Sequence, residues 1–267
     1  MIDGTGTARA RCVLAPNPSP MTLDGTNTWI VAEPGAALAA VVDPGPDDEG
    51  HLRRVAGQVS EAGQRVAQIL LTHSHPDHAA GAAAFAALTG APVLAADPAF
   101  RLGEEGLSPG TTLTAAGCEI TVVVTPGHSA DSVCLHLPAD RALLTGDTVL
   151  GRGTTVLAGD GNLKAYLGSL DRLRALSDTA GLTTLLPGHG PILTDPGATL
   201  DYYIAHRHER LAEVTDALAA GDRTTDQLVA RIYADVPRDL WPWAAFSVRA
   251  ALEYLRDQGL LPPGVQH

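Results

Sequence analysis

Short runs of apolar residues, separated by glycine and proline, recur along roughly the first 195 residues of the chain. Runs of this length that end in turn residues indicate buried β-strands. They lie at residues 28–32, 38–42, 66–72, 119–124, 133–137, 142–145 and 183–186. A sheet-rich first part is therefore predicted.

Apolar residues at helical spacing alternate with these strands. They predict helices over residues 51–62, 79–88 and 163–176. Strand clusters mixed with helices favour a sheet sandwich covered by helices, which is a layered α/β (α+β) plan.

The pattern changes after Pro196-Gly197, where it becomes almost purely helical. One long helix is predicted from about residue 199 to 220, and Thr224 with Gln227 fits a capping box that opens a short helix. A third helix is predicted over residues 242–258. Three helices of this size resemble a small helix-turn-helix or winged-helix-like unit. The predicted domains are residues 1–198 and 199–267.

Composition and charge narrow the function classes. The net charge is −12 and Lys164 is the only lysine, which argues against broad binding to nucleic acid. Residues 201–267 hold seven arginines and ten acidic residues, so sequence-specific DNA binding is not expected. The three cysteines form no CxxC pair and fit reduced thiols in a cytoplasmic protein. We expect no signal peptide and no membrane span.

The densest chemical signal is the segment from His73 to His78, directly after the apolar run at residues 66–72. It places His73, His75, Asp77 and His78 at one strand end. A lone histidine is usually a surface or satisfied core residue, but a group this dense has little structural use. Because zinc, iron and manganese take imidazole and carboxylate ligands, the segment predicts a metal site.

Three further ligand candidates follow strands elsewhere in the chain: His128, Asp147 and His189. Each is directly preceded by a glycine, which lets the backbone turn sharply and approach its neighbours closely. Each residue alone could be an ordinary loop residue. The repeated order of strand, glycine and ligand favours one common site.

In this order and context, the seven ligand candidates resemble those of the metallo-β-lactamase-fold hydrolase superfamily, over about the first 195 residues. The resemblance implies a four-layer αββα sandwich with two metal ions at one edge, usually zinc, with manganese or iron as alternatives. It implies that one metal is held by His73, His75 and His128. It implies that the other is held by Asp77, His78 and His189, and that Asp147 bridges both.

Two metals about 3.5 Å apart can share a hydroxide, lower its pKa and polarise a carbonyl or phosphoryl oxygen. Asp147 would then be catalytic as the bridging ligand. We also take Asp77 as catalytic, with the hypothesis that it accepts a proton as the hydroxide attacks. A non-catalytic protein that keeps the fold would be marked by a lost ligand, and no ligand is missing.

Further motifs point to one branch of the superfamily. Thr26-Asn27-Thr28-Trp29 and the tyrosine- and arginine-bearing segment 202–210 resemble the β-lactamase-like protein 2 group. The animal members of that group are single-strand endoribonucleases with a winged-helix-like C-terminal domain. The group often has a histidine just before the position of Leu252, where this chain has Ala251.

Two substrate classes follow from these observations. The resemblance implies a phosphodiesterase acting on single-stranded RNA, and the alternative is a small-molecule ester or thioester hydrolase of glyoxalase II type. Arg152, Thr154 and Thr155, just past Asp147, are the candidate substrate contacts, although the segment also fits an ordinary turn. The acidic balance and the Trp-bearing tail are compatible with a homodimer.

Overall fold

The computed structural model describes residues 2–103 and 106–265. The described strands are β1 (Ala10–Leu14), β2 (Asn27–Val31), β3 (Leu38–Val42), β4 (Arg65–Leu70), β5 (Val93–Leu94), β6 (Thr112–Ala115), β7 (Cys118–Val124), β8 (Val133–Leu137), β9 (Ala142–Gly146) and β10 (Thr184–Pro187). The described α-helices are α1 (Glu49–Glu61), α2 (Pro76–Ala79), α3 (Ala82–Thr89), α4 (Leu163–Ala180), α5 (Pro196–Ala219), α6 (Thr225–Ile232) and α7 (Trp241–Asp257).

The strands form two five-stranded sheets. The first has the order β1-β2-β3-β4-β5, and the second has the order β10-β9-β8-β7-β6. The pairs β3–β4 and β4–β5 are parallel, as is β9–β10, and the other neighbouring pairs are antiparallel. In each sheet, the parallel strands therefore end at one edge, where the loops after β4, β9 and β10 hold candidate ligands.

Three apolar clusters make the predicted four layers. Side chains between the sheets, such as Trp29 and Leu144, form one cluster. The outer face of the first sheet packs against α1 and α3. The outer face of the second sheet packs against α4, α5 and the following helices. Alternating side chains point to opposite faces of a strand, so neighbours Leu143 and Leu144 belong to different clusters. The αββα sandwich is confirmed.

The helical C-terminal part is also confirmed, with the predicted capping box between Thr224 and Gln227. In the described residues, no strand follows α7. The long helix α5 contacts α4 as well as α6 and α7, so it joins the two parts of the chain. The predicted boundary at residue 198 falls in the first turn of α5 and stays a prediction.

Two sequence expectations were incomplete. The helix predicted over residues 79–88 is divided into α2 and α3, and Gly81 stands at the N-cap of α3. Strands β1, β5 and β6 were missed, because β5 has two residues and the others lack a long apolar run.

The three cysteines are free and buried. In the described part of the chain, no helix has the length and hydropathy needed to span a bilayer.

Candidate metal centre

The structure brings all seven predicted ligands to one edge of the sandwich. Those of the first sheet come from the segment that follows β4, and α2 starts within it. Those of the second sheet follow β7, β9 and β10. The ligands are His73, His75, Asp77, His78, His128, Asp147 and His189. Their ligand atoms form three overlapping groups, and within each group the atoms lie within 4.8 Å of one another. The first group is His73, His75 and His128, the second is Asp77, His78 and His189, and the third, which links these two, is His73, His78 and Asp147.

The first group consists of three imidazoles, His73, His75 and His128. His75 Nδ1 lies 3.1 Å from His73 Nε2 and 2.9 Å from His128 Nε2. Two ligands of a tetrahedral zinc ion, each about 2.0–2.1 Å from the metal, lie roughly 3.3 Å apart. The three nitrogens therefore have a spacing close to that of zinc ligands.

Hydrogen bonds on the far side of each ring show what these nitrogens offer. His128 Nδ1 lies 2.9 Å from the Val156 carbonyl, which can only accept, so Nδ1 carries the proton. His73 Nδ1 contacts Thr72 Oγ1, which itself donates to Asp43 Oδ2. Both Nε2 atoms then carry lone pairs when the rings are neutral. His75 Nδ1 has at most one proton to share between them, so a cation fits this contact.

The second group is richer in carboxylate. Asp77 Oδ2 lies 3.1 Å from His189 Nε2 and 3.5 Å from His78 Nε2, and the two imidazole nitrogens are 3.1 Å apart. His189 Nδ1 donates to the Gly25 carbonyl at 3.1 Å. His78 Nδ1 donates to Asp43 Oδ2 at 2.9 Å. Both Nε2 atoms therefore face the same point, where they require a proton or a metal cation.

Asp147 lies between the two groups. Its Oδ2 is 3.3 Å from His189 Nε2 and 3.8 Å from His128 Nε2, and its Oδ1 is 3.4 Å from His78 Nε2. Oδ1 is buried and has no hydrogen-bond partner. A buried carboxylate oxygen without a partner is costly, and a metal ion would satisfy it. The seven residues thus fit a pair of divalent metals.

The two groups differ in their electrostatics. Burial, together with the neighbouring histidines, holds the pKa of His73 well below its ordinary value, and burial also lowers that of His128. Burial alone would lower the pKa of His78, but the carboxylates of Asp147 and Asp43 raise it well above the ordinary value. Against the same burial effect, Asp147 and Asp77 raise the pKa of His189 to about 9.

Asp43 is a functional residue that the sequence prediction missed. It is 1% exposed, and its two carboxylate oxygens accept from the Thr72 amide at 2.8 Å and the Thr72 hydroxyl at 2.7 Å. Because it also binds His78 Nδ1, it orients a ligand in each group, one directly and one through Thr72. A signal was present: Asp43 ends a strand beside Pro44-Gly45, as the other ligands end theirs.

The backbone of Asp43 is held by a second set of contacts. Its φ of +51° lies in the left-handed region, which costs free energy for a residue with a side chain. Thr28 Oγ1 donates to the Asp43 carbonyl at 2.7 Å and accepts from His51 Nε2 at 2.9 Å. Thr28 and His51 therefore support the turn that presents Asp43 to the metal ligands.

The glycines before the ligands allow the close packing that the sequence predicted. A Cβ on Gly188 would lie 2.5 Å from Asp147 Oδ1, and one on Gly146 would lie 2.5 Å from Thr72 Oγ1. Asn27 Nδ2 donates to the carbonyls of Pro187 and Gly190 on either side of His189, at 2.9 and 3.0 Å. The His189 turn is thus clamped against the start of β2.

Helix α5 fixes the loop that follows Asp147. The Tyr203 hydroxyl accepts from the Leu150 amide at 2.9 Å and lies 3.0 Å from the Gly153 carbonyl. The Arg207 guanidinium donates to the Thr155 carbonyl and lies over the Tyr166 ring, 5.0 Å from its centroid. Tyr203 and Arg207 of the predicted tyrosine- and arginine-bearing segment therefore hold the loop that follows Asp147.

The three predicted substrate contacts lie in different environments. Arg152 is exposed and pairs with Asp24 at 3.7 Å, and Thr154 is half-buried. Thr155 is 2% exposed, and its hydroxyl donates to the Asp147 carbonyl at 2.6 Å. The Thr155 hydroxyl therefore supports the loop. Substrate contact stays a prediction for all three residues.

Comparison with known families decides the class of this protein. Residues 21–189 match the model of the metallo-beta-lactamase superfamily, a range that holds all seven ligands. The chain belongs to the metallo-beta-lactamase superfamily. Residues 224–261 match the beta-lactamase associated winged helix domain, as the three-helix pattern predicted. The protein is therefore a metallo-beta-lactamase superfamily hydrolase with a winged-helix domain.

Individual relatives agree with this assignment. The Beta-lactamase-like protein 2 homolog of Drosophila melanogaster is 28% identical, over 93% of this chain and 88% of its own. The Atrochrysone carboxyl ACP thioesterase of Aspergillus fumigatus is 31% identical, over 85% of this chain and 74% of its own. A metallo-beta-lactamase family protein from Thermus thermophilus has the same fold, with a TM-score of 0.77 and 24% identity over 94% of both chains.

Proposed function

We propose that this protein is a dinuclear-metal hydrolase of small-molecule esters or thioesters. His73, His75 and His128 would hold one metal, Asp77, His78 and His189 the other, and Asp147 would bridge them. When bound, two such metals supply Lewis acidity and an activated water. The protein's own contribution is to fix the ligands, through Asp43, Asn27 and the carbonyls of Gly25 and Val156.

The observation that carries the choice of substrate is the state of the nearby cations. Arg207 is buried against Thr155 and Tyr166, and Arg210 Nη1 is paired with Glu213 at 2.8 Å. Binding along a nucleic acid strand draws on several free cations, because its affinity comes from neutralised phosphates. The helix beside the site offers arginines that already have internal partners, which favours a substrate that is not bound through a run of phosphates. A relative named as an ACP thioesterase supports the same choice.

The second candidate is the phosphodiesterase acting on single-stranded RNA that the sequence resemblance implies. It is favoured by Arg152, whose side chain is 60% exposed on the loop after Asp147 and could meet a phosphate. Position 251 gives no further support, because Ala251 is 3% exposed within the helical core. We therefore place this activity second.

A side-by-side turnover assay separates the two. Protein loaded with zinc or with manganese is offered S-lactoylglutathione, N-acetylcysteamine thioesters, bis-p-nitrophenyl phosphate and a fluorescent single-stranded RNA. We expect thioester turnover that Asp147→Ala abolishes, with the RNA left intact. RNA cleavage that Asp147→Ala abolishes, without thioester turnover, would refute the proposal and establish the second candidate.

The remaining assignments complete the proposal. Zinc is the preferred metal, with manganese and iron as the alternatives. Apart from the bridging Asp147, the two groups offer six ligands. Four of these are histidines whose other ring nitrogen is bound to an oxygen acceptor. The free, buried cysteines fit a cytoplasmic location. Neither sequence-specific DNA binding nor a membrane partner is proposed. A homodimer stays a prediction.

A further inference from the structure

A groove opens where the metal-binding domain meets the winged-helix domain. Its volume is about 350 Å³, and three segments line it. One is the loop with Met21, and the second is the strap of residues 154–156. The third is formed by residues of α5, of α7 and of the segment that joins α6 to α7. None of the seven candidate ligands lines this groove.

Two walls of the groove are the segments that hold the metal ligands in place. In the strap, the Val156 carbonyl accepts from His128 Nδ1 at 2.9 Å, and Thr155 Oγ1 binds the Asp147 carbonyl. The loop with Met21 continues to Gly25, whose carbonyl accepts from His189 Nδ1 at 3.1 Å. A molecule in the groove therefore lies against the segments that orient His128, Asp147 and His189.

The far wall is mainly apolar and aromatic. Its apolar members include Tyr233, Val236, Leu240 and Trp243, and Leu240 is 38% exposed. Polar groups are added by His206, Arg210 and Ser247. Across the groove, Met21 is 37% exposed. Exposed apolar side chains gathered in one concave surface mark a binding site for an apolar group. The guanidinium of Arg210 lies 5.3 Å from the centroid of the Tyr233 ring, and its Nη1 is paired with Glu213, whereas its buried Nε has no hydrogen-bond partner.

We propose that this groove binds a ring-bearing, aromatic acyl group of the substrate, and that Trp243, Tyr233 and Met21 determine that specificity. The proposal rests on the ester or thioester function proposed above. Aromatic rings pack against Tyr and Trp in offset or edge-on geometry, and against methionine sulfur. Hydrolysis would consume one water, form a C–O bond, break the C–S bond, and release an aromatic carboxylate and a thiol.

The test compares one selectivity across matched variants. N-acetylcysteamine thioesters of acetate and of 2-naphthoate are assayed with the metal-loaded protein, and the ratio of their kcat/KM values is measured. Trp243→Leu and Met21→Ala, on opposite walls, should each lower the naphthoyl-to-acetyl ratio by about tenfold. Leu88→Ala is the control, because Leu88 is an exposed apolar residue of α3 that lines a different surface.

Binding supplies a readout that does not need turnover. 2-Naphthoate should bind the wild-type protein in calorimetry, and its Kd should rise about tenfold in Trp243→Leu and stay unchanged in Leu88→Ala. Circular dichroism verifies that each variant is folded, and the exposed Met21 provides a second variant if Trp243→Leu unfolds.

The outcomes distinguish the two proposals. Thioester turnover with an equal ratio in all variants would overturn the groove assignment and leave the hydrolase function standing. An absence of turnover with both thioesters, together with RNA cleavage, would overturn the function and the groove assignment with it.

Discussion

The two ligand groups of the metal centre are built from different chemistry. His73, His75 and His128 form a group of imidazoles, in which burial lowers the pKa of His73 and His128. His78 and His189 share their group with Asp77, and carboxylates raise the pKa of both. A metal entering the first group meets the neutral imidazoles of His73 and His128, whereas one entering the second replaces protons. The two metal positions are therefore inequivalent, and we expect unequal affinities.

The largest effect should come from replacing Asp147, which lies between the two groups and contacts both. Asp147→Asn takes a charged oxygen from both, so we expect loss of at least one metal equivalent and a fall in kcat of about 10³-fold or more. Metal content by mass spectrometry and turnover of a thioester measure this. Two retained metals with unchanged turnover would show that Asp147 does not bridge.

A smaller and more selective effect is expected at Asp77, which belongs to the second group alone. Asp77→Asn should lower kcat by about 10²-fold, because the amide neither accepts a proton nor carries charge. The metal bound by the three imidazoles should remain. Metal stoichiometry and kcat are measured on the same sample. Full turnover with both metals present would refute the proton-accepting role of Asp77.

Asp43 tests whether one carboxylate supports both groups. Asp43→Asn should weaken metal binding by about 10- to 100-fold, since outer carboxylates orient and polarise ligand histidines. The loss should be larger for the second group, where Asp43 contacts His78 directly, than for the first, which it reaches through Thr72. Chelator competition measures both affinities. Asp171→Asn, on the exposed face of α4, is the control, and an equal loss in both variants would contradict the assignment.

The smallest effect is on acid stability and concerns His51 behind Asp43. Burial lowers the pKa of His51 to about 4, so the folded state keeps it neutral while the unfolded state takes a proton below about pH 6.5. Stability is therefore lost as the pH falls from 6.5 to 4. The free energy of unfolding of His51→Gln should fall less steeply over this range, measured by urea unfolding. Parallel pH profiles for both proteins would rule this out.

Local pattern was sufficient for most of the fold and for finding the seven candidate ligands that the structure brings together. Apolar runs ending in glycine gave the strands that carry His128, Asp147 and His189, because strand ends and tight turns are local features. Strand β5 was missed since two residues carry no periodicity. The division between α2 and α3 depends on Gly81, where an added Cβ would lie 2.7 Å from the Pro46 carbonyl oxygen, a contact from distant sequence.

The parts that support the site were harder to predict because they depend on tertiary packing. Asp43 lies 29 or more residues from the groups it binds in Thr72 and His78. The Thr155 hydroxyl faces its own loop, and the sequence gives no sign of that direction. The groove exists only because α5, α7 and the segment that joins α6 to α7 pack near the strap.

The ligands are divided between the two sheets, and this has a consequence for synthesis. The segment from His73 to His78 leaves the ribosome with the first sheet, while His128, Asp147 and His189 follow with the second. The nascent chain therefore carries an incomplete ligand set until residue 189 is released. Binding of both metals therefore requires that the two sheets of the sandwich have folded and packed together.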